Sequence, residues 1–101
     1  MIPRGVKASI DAYVDDGRPT GDFLRAVLSN DLMEAVARAD EYNRIALADI
    51  CVYIYNFTPN TCHGSADIVN NWIKLHRENP KVVHEMAGGD RDRREKYYET
   101  H

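Results

Sequence analysis

A thiol beside an imidazole, Cys62-His63, is the first place to look for chemistry, with His76 and His84 further along the chain. A structural zinc site takes four nitrogen or sulfur ligands, usually as two closely spaced pairs. Only one such pair is present, so the spacing argues against a metal and no cofactor is expected. Nucleophilic catalysis needs a base aimed at the nucleophile. Adjacency in sequence does not aim His63 at the Cys62 sulfur, and no Gly-x-Ser-x-Gly turn occurs. The carboxylates pair with arginines four residues on, Glu34 with Arg38 and Asp40 with Arg44, as on a solvated helix face rather than in an acid–base site. The chain therefore reads as a non-enzyme.

Two groups of residues remain as binding candidates. In Gly17-Arg18-Pro19-Thr20-Gly21, free N–H groups at a helix start next to Arg18 could hold a phosphate or carboxylate through Arg18, Thr20 and Gly21. Against this, Asp22 supplies a negative charge from within the chain, and any sharp helix corner needs the same residue types. The second group is aromatic. Tyr53 and Tyr55 alternate with Val52 and Ile54, so at least one tyrosine reaches the surface. With Asn56 and His63 they could form a polar-aromatic patch suited to a protein partner, and Arg38, on a solvated helix face, is a separate binding candidate. The alternative is a pair of core-edge tyrosines with satisfied hydroxyls. Cys51, between Ile50 and Val52, reads as a small buried hydrophobe.

The elements that must position these residues are helical. Pro3 suits a first turn, Val6, Ile10, Tyr13 and Val14 repeat at helical spacing, and Gly17 can take the left-handed backbone that ends a helix. Thr20 is the expected N-cap of a second helix carrying Phe23, Leu24, Val27 and Leu28, which Ser29 and Asn30 end. Asp31 with Glu34 forms a capping-box pattern for a third. A single helix from there to Phe57 would be roughly 40 Å long, whereas a domain of this size has a radius of gyration of about 13 Å. A break at Asp40 is therefore expected, giving helices near 31–40 and 41–57. CVYIYNF has strand-like composition, but a lone strand has nothing to pair with. Ser65 caps a fifth helix, with Ile68, Val69, Trp72, Ile73 and Leu75, that ends at Asn79-Pro80. Val82, Val83 and Met86 could add one turn before Gly88-Gly89 and the balanced charges of DRDRREKYYETH.

The expected fold is all-α: a compact bundle of four to five short helices over residues 1–87, with a charged tail, helical or flexible, over 88–101. The 101 residues amount to one domain. ICVYIYNF is far too short to cross a bilayer, and MIPRGVKASIDAY has no signal-peptide pattern. A net charge of −3 disfavours a nucleic-acid partner. Two cysteines are too few for a disulfide framework and read as reduced thiols in a cytoplasm.

The order of segments has a counterpart. Ile2-Pro3, Tyr13-Val14, Gly17, PTGDFLRAVLSNDLMEAVARAD, Asn43, YIYN before a proline, Cys62, Gly64-Ser65 and Trp72 together resemble a family of short proteins carried by bacteriophages and prophages. The match spans about residues 2–75 and leaves out the tail. Gly21-Asp22 stands where two glycines are expected, which weakens the corner as a close-approach anion site. The resemblance implies context rather than residue roles: a phage accessory product in the bacterial cytoplasm. On that basis the expected function is non-enzymatic binding of a host protein, for instance inhibition of a defence component in the manner of an anti-CRISPR protein. The alternatives are a nucleotide or small-ligand sponge using Arg18 and Thr20, and a self-assembling structural accessory.

Overall fold

Each apolar repeat along the chain becomes a helix. The computed structural model describes residues 1–101 as α1 (Arg4–Asp16), α2 (Asp22–Leu28), α3 (Leu32–Arg38), α4 (Glu41–Phe57), α5 (Ala66–Glu78), α6 (Pro80–Glu95) and α7 (Tyr97–Thr100), with no strand. The fold is all-α, and CVYIYNF is the last part of α4. The Cα radius of gyration is 12.8 Å and the extents are 37 × 31 × 18 Å, a thick slab. No helix is long and apolar enough to cross a membrane.

The boundaries follow backbone hydrogen-bonding needs. The Pro3 carbonyl accepts the first bond of α1, from Lys7 N–H. Gly17 closes α1 at φ 69°, and Arg18 N–H reaches back to the Ala12 carbonyl, the wrap typical of a glycine C-terminus. A Cβ at Gly17 would lie 2.5 Å from the His76 Cβ, so the position is closed to side chains on two counts. Asn30 plays the same part after α2, with φ 61°. Asp31, Asp40 and Ser65 each accept the backbone N–H three residues on, from Glu34, Asn43 and Ile68. The break at Asp40 is thus built by its own carboxylate. Three expected details differ. The N-cap of α2 is Gly21 rather than Thr20, and no side chain caps it. Glu34 does not return the capping bond, because it is held by Arg38 at 2.7 Å; Arg44 meets the Ala39 carbonyl instead of Asp40.

Helix α1 packs chiefly against α6, and buried hydrogen bonds tie it to α4 and α5 as well. Tyr13 is fully buried and its hydroxyl donates to the Cys62 carbonyl at 2.6 Å. Trp72 Nε1 of α5 donates to the Tyr13 carbonyl, and His76 Nε2 meets the Val14 carbonyl. Tyr53 of α4, also fully buried, donates to Asp11 at 2.5 Å. Ala26 and Ala35 are buried where α2 and α3 cross, small enough for the two helices to approach closely.

The C-terminal segment departs most from expectation. Asn79-Pro80 ends α5 but Pro80 also opens α6, as proline at a first helical position can. The helix then runs through Gly88-Gly89 without a break, against a propensity cost of about 1 kcal/mol per glycine. Packing offsets that cost. Val83, Ala87 and Arg94 form a buried stripe, and Tyr97 of α7 packs edge-on to Tyr53 and Phe57. Arg94 is 1% exposed and bonds Asp15 of α1 and, at 3.0 Å, the Phe57 carbonyl at the end of α4. Its Nε faces Asp11 at 3.5 Å. Residues 88–95 therefore belong to the body of the fold.

Two sets of substitutions check this account by urea denaturation. Gly88 and Gly89 are exposed with no close neighbour for an added methyl, so Gly88→Ala with Gly89→Ala should stabilise by about 1–2 kcal/mol. A flexible tail would show no change. Replacing Arg94 by Met should cost about 3 kcal/mol. That is the low end for a broken buried pair, because Asp11 and Asp15 keep 23% and 24% side-chain exposure. Lys96→Ala, at an exposed pair, should leave the midpoint unmoved.

Candidate functional site

The residues singled out from the sequence do not form one patch. Tyr53 points into the core and Tyr55, two positions on and 200° around the helix, is 78% exposed. Asn56 is exposed, and its carbonyl is taken by Arg93. Arg38, at the end of α3, pairs with Glu34 and Asp22 and does not line the cleft that holds Tyr55. Cys51, expected in the core, is exposed. Its helix is apolar on both sides, so periodicity could not tell which side faces inward.

Tyr55 and His63 do meet. They line a cleft of about 310 Å3 with Val27, Leu28, Asn30, Cys51, Ile54 and Gly64. A smaller crevice of about 50 Å3, with Leu32, Ala35 and Leu47, shares Val27, Asn30 and Cys51 with it. Together they make one groove between α4 and the α2–α3 corner. Its far wall is fixed by the Gly64 N–H, which donates to the Leu28 carbonyl at 2.8 Å. That bond holds His63 against α4, with Gly64 at φ 131° supplying the turn. Leu32 of α3 lines it, and Met33 and Val36 of the same short helix are exposed as well. Composition carried the signal for this surface: from Ile45 to Phe57 only Asp49 is charged, too apolar for a helix with a single buried face.

The groups in and behind the groove are held in neutral forms. Burial lowers the His63 pKa, and its Nε2 is buried without a hydrogen-bond partner. Burial raises the Cys51 thiol and pushes the Cys62 thiol up to about 11, with smaller opposing help from Thr58 and Arg94. Tyr13 and Tyr53 are raised as well, chiefly by burial. A thiol with a raised pKa carries little thiolate at neutral pH, so the arrangement favours packing over reaction. Cys62, His63, His76 and His84 are dispersed: His76 stacks edge-on to Trp72 and His84 lies against Arg91. No three metal-binding side chains come together.

The largest cleft, about 560 Å3, lies where the first turns of α1, α2 and α4 converge, and Gly21 lines it with Asp22, Asp40, Tyr42 and Asn43. Asp40 already accepts the Asn43 N–H at 2.7 Å. Two carboxylates on the wall oppose an anion there. Arg18 is exposed, Thr20 is half-buried, and neither lines this cleft. Comparison of the chain with family models, curated proteins and solved structures gives no match.

The thiols supply the check. With an aryl disulfide reagent at pH 8, Cys51 should label in the folded protein and Cys62 only on unfolding. The folded chain keeps the Cys62 proton up to about 11, while the unfolded chain releases it near 9.0. Stability is therefore full below 9 and falls as pH rises through 11, by about 2–3 kcal/mol from this thiol alone. Urea midpoints measured between pH 8 and pH 10.5 should fall accordingly. A flat profile would mean that Cys62 is not buried.

Proposed function

We propose that this chain is a small accessory protein of the kind phages carry, acting without catalysis by docking on a host protein in the bacterial cytoplasm. The observation that supports the reading is the groove between α4 and the α2–α3 corner, lined by exposed Leu32 and Tyr55, with Met33 and Val36 exposed on the same short helix as Leu32. Small monomers rarely leave a contiguous apolar surface of this kind without a use for it. An aromatic anchor beside a neutral imidazole matches the usual composition of a protein-binding centre. The resemblance to phage proteins supplies the context, in which inhibition of a defence component, as by an anti-CRISPR protein, is the natural outcome of such docking. The nucleotide-sponge reading has weaker support, since Arg18 and Thr20 stand apart from the large cleft and Asp22 and Asp40 line it.

Affinity capture from host lysate tests the reading. The wild-type chain should retain one stoichiometric partner, and Leu32→Glu with Met33→Glu should weaken capture at least tenfold. Both positions are exposed, so the fold is untouched. Absence of any stoichiometric partner, or equal capture by the variant, rejects it.

A further inference from the structure

We propose that the outer face of α4 is a two-fold seam that pairs antiparallel with α4 of a second copy of this chain. The seam consists of Ile45, Ala48, Val52 and Tyr55, spaced three, four and three apart. That is the heptad spacing of a coiled-coil core, in which apolar knobs from one helix enter holes on the other. In this chain the face is turned away from the protein's own core, which takes Ile50, Tyr53 and Ile54 from the opposite side of the helix. Ile45 is 80% exposed, Val52 55% and Tyr55 78%, and Ala48 is exposed too.

The choice of a second copy comes from the residue sizes and the register. In an antiparallel pair with its two-fold axis level with Ile50, Ile45 faces the partner's Tyr55 and Ala48 faces the partner's Val52. The bulkiest residue then meets a medium one, and the smallest meets a β-branched one. A parallel pair would set tyrosine on tyrosine and leave a gap between two alanines. A surface that matches its own rotated image in this way is what a two-fold interface requires. Between Ile45 and Tyr55 the seam carries no charge; Glu41, which continues its spacing four residues before Ile45, lies outside the paired stretch. Asp49 sits to its side, with its carboxylate 2.6 Å from the Met1 ammonium. With flanking Met1 and Tyr42, 68% and 77% exposed, the face adds apolar area toward the roughly 800 Å2 each partner gives a standard interface. The groove assigned to a host protein opens on the Leu47–Cys51 side of α4 and shares only Tyr55 with the seam, so the Leu32–Met33 and Ile45–Val52 variants separate the two readings.

Sedimentation equilibrium of the full chain tests it at roughly 100 μM, where a dimer with a dissociation constant of ~10 μM or below is mostly formed. The mass should be twice the 11.5 kDa of the chain. Ile45→Glu with Val52→Glu should return it to a single chain with unchanged helical circular dichroism, since both side chains are exposed. The register is read separately. In a Cys51→Ser background, Ile45→Cys and Tyr55→Cys chains mixed and mildly oxidised should form a mixed disulfide, and neither should cross-link efficiently alone. A single-chain mass at this concentration overturns the proposal, as does self-linkage of the Tyr55→Cys chain in preference to the mixed product. If the wild-type chain is monomeric yet captures a host protein that Leu32→Glu with Met33→Glu loses, the seam fails and the groove stands. If it is dimeric and captures nothing, the reverse holds.

Discussion

A single guanidinium holds three helices together. Arg94 comes from near the end of the chain, is almost wholly out of water, and bonds Asp15 of α1 and the last carbonyl of α4 with Asp11 alongside. Removing a cation from water costs several kcal/mol, and it is tolerable only because the surroundings are negative. Two carboxylates supply most of that, and the exposed carbonyls at the end of a long helix add the negative pole of its dipole. Tyr53 completes the arrangement from the core side by donating to Asp11. Arg91 and Arg93 continue it outward, to Asp15 and to the Asn56 carbonyl. The charged run that ends the sequence is therefore the clamp of the fold.

Local chemistry was legible in the sequence wherever the partner lies within a few residues. The left-handed glycine at position 17, the caps at Asp31, Asp40 and Ser65, and the division of the long apolar stretch into α3 and α4 all follow from short-range needs of backbone N–H and C=O groups. What stayed hidden depends on distant partners. Nothing near Arg94 shows that Asp11 and Asp15 wait for it, so DRDRREKYYETH reads as solvated. Gly88-Gly89 reads as a break because glycine weakens a helix, yet the buried stripe of Val83, Ala87 and Arg94 outweighs that penalty. Thr20 was a sound cap by type, but the corner turns one residue later and leaves its hydroxyl out of the helix start.

The candidate surfaces show the same division. That Tyr53 and Tyr55 should point in different directions was readable from helical geometry; which of them faces inward was not, because both sides of α4 are apolar. The helix is doing two jobs. Ile50, Tyr53 and Ile54 close the core, while Leu47 and Cys51 face the groove, Ile45, Ala48 and Val52 face outward, and Tyr55 borders both. His63 enters the groove only because a loop following Pro59 is tied back to the end of α2, a closure no local pattern encodes.

The bonds that later helices make to α1 have a consequence for how the chain comes to be folded. Its side chains and final carbonyls are engaged by Tyr53, Trp72, His76, Arg91 and Arg94, and Tyr98 reaches the Ile2 carbonyl. Within these residues, the earliest helix in chain order must wait for the latest. Contacts between such distant parts of a chain form late and slow the search, so nascent or prematurely ended products present an unclosed apolar surface to chaperones and proteases. Closure of α1 is thereby tied to the arrival of α6.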